Sequence, residues 1–375
     1  MPASVYFVPA SFDEPLDALT RKARALFAAA DMARVVRPKD LIAVKLHFGE
    51  PGNTTHLQPK HVRGFVDCIS QLGGRAFLTD TATLYAGRRS NAVDHVITAI
   101  EHGFTIDQAG APVIMADGLF GNAELSVPAP GTDQETVALA AELVRAQGVI
   151  VITHVTGHGG AGLGGTIKNV GMGCASRKGK MLQHSNIKPS IDPQTCQFCR
   201  VCMLWCPANA ISQHPSLDAA VIDSQLCIGC GECLAVCRVG AVRFNWGVGS
   251  ADMQRKMATH TLALHRQKQG RIAYVSYLVN ITQECDCFGR KLDVAVPDIG
   301  ILASLDPVAI DQASLDLFEK HVGQSFRRRF HRQIDPTIAL SYGQQIGLGC
   351  RRYQLIELTS RQVDEYAAGS LARTS

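Results

Sequence analysis

Eight of the thirteen cysteines in this 375-residue chain fall into two runs. Cys196, Cys199, Cys202 and Cys206 form the first, with Pro207 directly after it, and Cys227, Cys230, Cys233 and Cys237 form the second. Each run has the spacing C-x2-C-x2-C-x3-C. Three thiolates at x2 spacing wrap one iron–sulfur cube as a tight loop, and few short patterns are as specific for 4Fe–4S ligation. Iron in such clusters is thiophilic, whereas a zinc site takes four cysteines in pairs and does not call for eight in a double pattern. The chemistry implied is the movement of single electrons.

A second group of reactive side chains lies outside these runs. Lys45-Leu46-His47-Phe48-Gly49-Glu50 stands at the end of an apolar run. His154, His158, Lys168, Asn169 and Cys174 sit in a glycine-rich stretch, followed by Arg177, Lys178, Lys180 and His184. Cys285-Asp286-Cys287 precedes Asp298, Asp306 and Asp311. On extended chain, side chains at i and i+2 point the same way, so Cys285 and Cys287 can face one site. With Cys174 they offer three thiolates and an open position, the ligand set of a third cluster or a catalytic metal. A redox thiol pair and unligated structural cysteines are the other readings. His47, His154 and Lys168 are the candidate proton donors, and Arg177, Lys178 and Lys180 suit a small anionic substrate or a solvated loop. Gly160, Gly162 and Gly165 satisfy GxGxxG, but no acidic residue follows at the distance a dinucleotide site needs, so no NAD or flavin motif is evident. The same glycines suit an anion-binding turn or a purely structural one. Cys68 and Cys350 read as structural, and Asp306-Pro307 as a helix cap.

The elements that must position these residues alternate strand and helix. Ser4–Val8, Leu41–Phe48, Ala76–Asp80, Val149–His154 and Ile272–Val279 read as strands, with short ones at Val113–Met115 and Val294–Val296. Pro15–Val36, Pro59–Leu72, Ala92–His102, Glu135–Gln147, Met253–Gln269 and Pro307–His321 read as helices. This alternation predicts an α/β fold with a largely parallel sheet and helices on both faces. It is interrupted by a small α+β insert over residues 188–246, between halves at 1–187 and 247–360; residues 361–375 read as a flexible tail.

The double cysteine run resembles bacterial two-cluster ferredoxins. That resemblance implies that the fourth cysteine of each run ligates the other cluster. Cys196, Cys199, Cys202 and Cys237 would then hold one cluster, and Cys227, Cys230, Cys233 and Cys206 the second. Most of the rest of the chain resembles the prokaryotic iron–sulfur protein family catalogued as domain of unknown function 362. That resemblance rests on KLHFGE, GLGGTIKNVGMGCASRKGKMLQHS, and CDC with PDIGILASLDPVAID. It implies an iron–sulfur protein with the ferredoxin insert at the same place, and no particular reaction.

Bulk properties narrow the classes. A net charge of +4 without a basic stripe interleaved with aromatics gives no case for nucleic acid. No run approaches the roughly 18 apolar residues that span a bilayer, and the amino terminus carries no secretory leader pattern. Clustered cysteines fit a reducing cytoplasm, the natural setting being an anaerobic or facultative prokaryote. The expectation is an iron–sulfur oxidoreductase. Its two 4Fe–4S clusters would exchange electrons with a soluble donor or acceptor protein and relay them to a third metal, cluster or substrate site in the α/β domain. The alternatives are a ferredoxin-like subunit docking a partner enzyme and a maturation factor that handles metal or sulfur.

Overall fold

Gly148–His154 (GVIVITH) and Ile272–Leu278 (IAYVSYL) are buried along their whole length. Strands read this way when helices cover both faces of their sheet. The computed structural model, which describes residues 2–85, 87–184, 188–229, 231–243, 249–369 and 371, places both at the centre of a seven-stranded sheet. Its strands are β1 (Ala3–Pro9), β2 (Leu41–Lys45), β3 (Arg75–Thr79), β4 (Gly148–His154), β5 (Ile272–Leu278), β6 (Gly300–Ser304) and β7 (Tyr353–Glu357). Their spatial order is β7-β1-β6-β5-β4-β2-β3. All neighbours are parallel except β6, which runs antiparallel to both β1 and β5. The fold is therefore α/β with a largely parallel sheet, as the alternation predicts.

Side chains alternate between two cores across this sheet. Val149 and Val151 of β4 enter one core, Ile150 and Ile152 the other. The first is covered by α4 (Thr166–Gly171), α6 (Ser250–Gln267) and α7 (Pro307–Val322); the second is covered by α1 (Leu16–Ala29) and α2 (Pro59–Gln71). Cys68 lies in the second core, where burial pushes its thiol up to about 12. Two further helices matter below, α3 (Ala92–Glu101) and α5 (Arg177–His184). Among the described residues, no helix is long and apolar enough to cross a membrane.

Several elements differ from the sequence-based expectation. The helix expected over Glu135–Gln147 is instead a strand, Thr136–Ala140, followed by one helical turn, Ala141–Arg145. Val137 and Leu139 alternate into the core, and pairing with Glu124–Pro128 overrides the helix propensity of an alanine-rich segment. The first long helix stops at Ala29, because Asp31 takes a left-handed conformation (φ 51°) and a 3-10 turn follows. Val113 and Val294 make only single bridges, to Leu78 and Thr282. The tail expected to be flexible from residue 361 is a helix, α8 (Ser360–Ala368). Thr359 and Gln362 form its capping box, Arg24 Nε donates to Ala367 O (2.8 Å), and Val363 packs on the second core.

The cysteine-rich stretch has a small framework of its own. Ser190–Ile191 pairs with Val242–Arg243, and Ile211–Gln213 with Ala220–Ile222. Two one-turn helices, Val201–Leu204 and Glu232–Val236, carry parts of the two runs. Ile211, Ala220, Cys233 and Val242 form a separate apolar cluster.

Candidate functional site

The parallel strands β2, β3, β4 and β5 all end at one edge of the sheet, and open α/β sheets place their sites beyond the carboxyl ends of such strands. Four segments leave that edge. His47 follows β2, Asp80 through Arg89 follow β3, His154 ends β4 with Lys168 beyond it, and Cys285–Cys287 follow β5. They enclose a cavity of about 610 Å³ lined by Lys45, His47, Asp80, Arg89, Lys168 and Cys287, among others.

Charge dominates its floor. Lys45 Nζ lies 3.0 Å from Asp80 Oδ1, and Arg89 Nη2 lies 3.1 Å from Asp80 Oδ2. Arg89 also reaches Glu50 Oε1 at 3.3 Å, and Tyr85 donates its hydroxyl to the same oxygen at 2.6 Å. Lys45 further donates to Asn169 Oδ1 (2.8 Å), which is held in turn by Ile152 O and Thr153 Oγ1. Lys180, on α5, lines the cavity and donates to Thr81 Oγ1 and Ala175 O; burial lowers its ammonium to about 8. Burial likewise brings His158 down to about 3 and His184 to about 4, so both face the cavity as neutral rings.

The Cys-Asp-Cys segment is a turn, not extended chain, since Phe288 N–H donates to Cys285 O at 3.1 Å. The Cys285 thiol donates to Cys287 sulfur, which holds Cys287 well below its usual range and Cys285 well above it. Lys168 Nζ stands 3.8 Å and His47 Nε2 3.5 Å from Cys287 Sγ, and both favour its thiolate. Gly49 N–H donates to His47 Nδ1 (2.9 Å), which leaves Nε2 facing the sulfur. Arg89 Nη1 lies 2.7 Å from that same nitrogen. Both cysteines line the cavity; Cys287 is half-buried and Cys285 is buried.

His154 does not serve the cavity directly. Nδ1 donates to Asp286 Oδ2 and Nε2 to Val279 O, both at 2.8 Å, so both nitrogens carry protons. Burial opposes the charged ring, but Asp286 outweighs it and raises His154; burial would raise Asp286, and His154 pulls it down. The pair anchors the turn between the two cysteines. His154→Ala is expected to cost about 3–5 kcal/mol in denaturant unfolding, because it leaves a buried carboxylate unpaired. The stabilisation from His154 is full below its unfolded pKa near 6.5 and fades as pH rises through the higher folded value. That from Asp286 is present above 3.8 and fades as pH falls through the lower folded value. The gap between wild type and variant is therefore widest between the unfolded values of 3.8 and 6.5 and narrows on both sides.

The structure separates Cys174 from this pair. Cys174 is fully buried in the first core, its carbonyl accepts from Ala140 N–H, and burial pushes its thiol up to about 12. Among the described residues, no group of three or more His, Cys, Asp or Glu is placed to hold a metal ion. The glycine-rich turn also has a structural occupant. Asp311 accepts from Thr166 N (2.6 Å) and Ile167 N (2.8 Å), so a carboxylate of the chain itself takes the helix N-terminus. A Cβ on Gly165 would fall 2.6 Å from that carboxylate. Asp306 caps α7 through Val308 N and Ala309 N, and Asp298 ties Phe12 N to Asn280 N. Arg177 is buried and holds Phe120 O and Ser90 O, while Lys178 pairs with Glu124 at the surface. Asp80, Tyr85 and Arg89 were not singled out by sequence reasoning; the available signal was their position just beyond a strand end.

The cysteine runs surround two smaller cavities. One is lined by Cys196, Cys199, Cys202 and Cys237, the other by Cys206, Cys227 and Cys233; Cys230 lies outside the described residues. Cys237 thus faces the first three cysteines of the other run, and Cys206 faces Cys227 and Cys233. Burial raises Cys202, and the neighbouring charges of Cys237, Cys196 and Cys199 add to it. Backbone N–H groups point at three of the sulfurs: Ala210 to Cys206 (3.2 Å), Ala241 to Cys237 (3.2 Å) and Ala220 to Cys196 (3.4 Å). Thiolates with amide donors on sulfur suit a four-iron cluster, whose potential such bonds tune.

This unit meets the large cavity through α5. Met181 and Arg177 pack on Gly231, where a Cβ would lie 3.0 Å from Met181 Cγ, while Lys180 and His184 of the same helix line the cavity. Asn122 Nδ2 donates to Glu232 Oε2 (3.1 Å), and Phe120 meets Trp205 edge-on at 5.3 Å. Ser250 and Met253, at the start of α6, also line the cavity.

A family model described as "Domain of unknown function (DUF362)" matches residues 42–316. Over 81 residues the chain is 35% identical to the pyruvate synthase subunit PorD of Methanothermobacter marburgensis, covering 22% of this chain and 90% of that one. Over 52 residues it is 44% identical to hydrogenase-4 component A of Escherichia coli, covering 13% of this chain and 24% of that one. Among solved structures, a protein from Thermotoga maritima aligns with 82% of this chain at a TM-score of 0.40 and 8% identity. The lactate racemase apoprotein from Thermoanaerobacterium thermosaccharolyticum aligns with 73% at 0.35 and 10% identity. The chain spans 58% and 50% of those two structures.

Proposed function

Because the chain belongs to the DUF362 family, whose description assigns no reaction, we propose a function from its own residues: an iron–sulfur oxidoreductase that reduces a small anionic substrate in the sheet-edge cavity. The eight run cysteines of residues 188–246 would hold two 4Fe–4S clusters, which supply one-electron transfer when bound. The observation that carries this reading is the crossed grouping of the runs around two separate cavities. Helix α5 touches this unit at Gly231 and the large cavity at Lys180, which favours electron exchange between the two.

The cavity residues have distinct work. Lys45, Arg89 and Lys168 bind and orient negative charge. Lys180, with its ammonium near 8, gives and takes a proton close to neutral pH. Asp286, held by His154, keeps the Cys285–Cys287 turn in place.

Oxygen-free protein is expected to contain about 8 iron and about 8 acid-labile sulfide per chain, and to show reduced-cluster EPR signals after dithionite. Zinc in place of iron, or one iron per chain, overturns the reading. Both curated relatives are named as parts of larger assemblies, a subunit and a component, which favours a second reading as an electron-transfer subunit. That reading prevails if a partner protein reoxidises the reduced chain and no small molecule does.

A further inference from the structure

We infer that Cys285 and Cys287 are a redox-active dithiol–disulfide pair, and that the cavity reduces an anionic compound containing a sulfur–sulfur bond. The inference deepens the proposed oxidoreductase reading and rests on it for the source of electrons.

Three geometric observations carry it. The first is proximity: the turn closed by Phe288 N and Cys285 O contracts the i, i+2 separation below that of extended chain, toward the roughly 4.4–6.8 Å between Cα atoms that a disulfide needs. The second is asymmetry: both cysteines line the cavity, but Cys287 is the less buried and has Lys168 Nζ and His47 Nε2 beside its sulfur, while Cys285 is buried. Attack on an entering molecule belongs to the less buried sulfur flanked by positive charge, and resolution to the more buried one. The third is the cationic lining of Lys45, Arg89, Lys168 and Lys180, which selects negative charge in a space large enough for an aromatic disulfide.

The balance is as follows. Cys287 thiolate attacks one sulfur of R–S–S–R, forming Cys287–S–S–R and releasing R–S⁻. Cys285 thiol attacks the Cys287 sulfur of that mixed disulfide, forming the Cys285–Cys287 disulfide and releasing R–SH with the Cys285 proton. The disulfide then takes up two electrons, delivered singly by reduced 4Fe–4S clusters, and one proton, which restores the thiol and the thiolate. The sum is R–S–S–R with two electrons and one proton giving R–S⁻ and R–SH.

The test uses the oxygen-free full chain and two aromatic disulfides, the dianionic 5,5′-dithiobis(2-nitrobenzoate) and the neutral 4,4′-dithiodipyridine. With one equivalent of the dianion, the inference expects two thiolates released per chain. The peptide carrying Cys285 and Cys287 should be lighter by two hydrogens. Cys285→Ser should release one and trap the aryl adduct on Cys287. Lys168→Met, which keeps the fold through its apolar stem, should slow the dianion about tenfold and the neutral reagent less. The inference is overturned if Cys287 reacts no faster than Cys350, a half-buried thiol outside the cavity, or if the adduct on Cys287 is never resolved by Cys285. Iron content and EPR, measured on the same samples, report the cluster reading separately: normal clusters with an inert pair sink this inference alone, and a reactive pair without iron sinks the electron source.

Discussion

Cys237→Ser is expected to remove the cluster held by Cys196, Cys199 and Cys202, and to leave the one held by its own run. Iron should fall from about 8 to about 4 per chain. The reason is placement. Cys237 ends the helical turn Glu232–Val236 and lines the cavity of the first run, together with Val236 and Ala241. Its sulfur already accepts from Ala241 N–H. Cys206 stands in the mirrored position, with Ala210 N–H on its sulfur and Cys227 and Cys233 around its cavity. Double variants make the assignment decisive. Cys196→Ser with Cys237→Ser should retain about half the iron, as either single does, because both residues serve one cluster. Cys227→Ser with Cys237→Ser should lose nearly all of it. An uncrossed arrangement reverses these two outcomes, so iron analysis of four proteins settles the ligand sets.

The eight run cysteines were legible because their spacing is local: each triplet acts within one short loop. The sheet was legible for the same reason, since β4 and β5 announce burial on both faces by continuous apolar sequence. The site was only half legible. Cys285, Cys287, His47 and Lys168 follow strand ends and do converge on the cavity. Cys174 shares the glycine-rich segment with Lys168, yet three residues past the end of α4 the chain has turned into the core. His154 ends a strand but points behind the cysteine turn, toward Asp286. Arg89 and Tyr85 carry no motif; they matter because the loop after β3 folds back over Glu50 and Asp80. Thr136–Ala140 was misjudged because its partner strand, twelve residues upstream, outweighs local propensity.

Asp80→Ala is expected to be among the most destabilising single changes in the chain, at about 3–5 kcal/mol, a large part of the roughly 5–15 kcal/mol that holds a folded protein together. Asp80 is 2% exposed and is the shared counter-charge of Lys45 and Arg89, which are themselves 1% and 3% exposed. His95 Nε2 lies a further 3.7 Å from it and accepts from Arg89 Nε. Without the carboxylate, two buried cations keep Glu50 as the nearby anion, and Glu50 reaches Arg89 at 3.3 Å. Asp80→Asn preserves volume, so whatever it loses is charge and not packing. Adding Lys45→Met to Asp80→Asn removes one stranded cation and should recover part of the loss. The pH dependence separates this account from a cavity effect. Burial alone would raise the Asp80 carboxyl, but Lys45 and Arg89 hold it well below its usual range. Its stabilisation is thus complete above the unfolded value near 3.8 and is lost as pH falls through the folded one. Denaturant midpoints of wild type and Asp80→Asn should therefore lie far apart at neutral pH and converge below about pH 4. A gap that stays constant across that range would mean that Asp80 acts by filling space, and the cationic floor of the cavity would need another counter-ion.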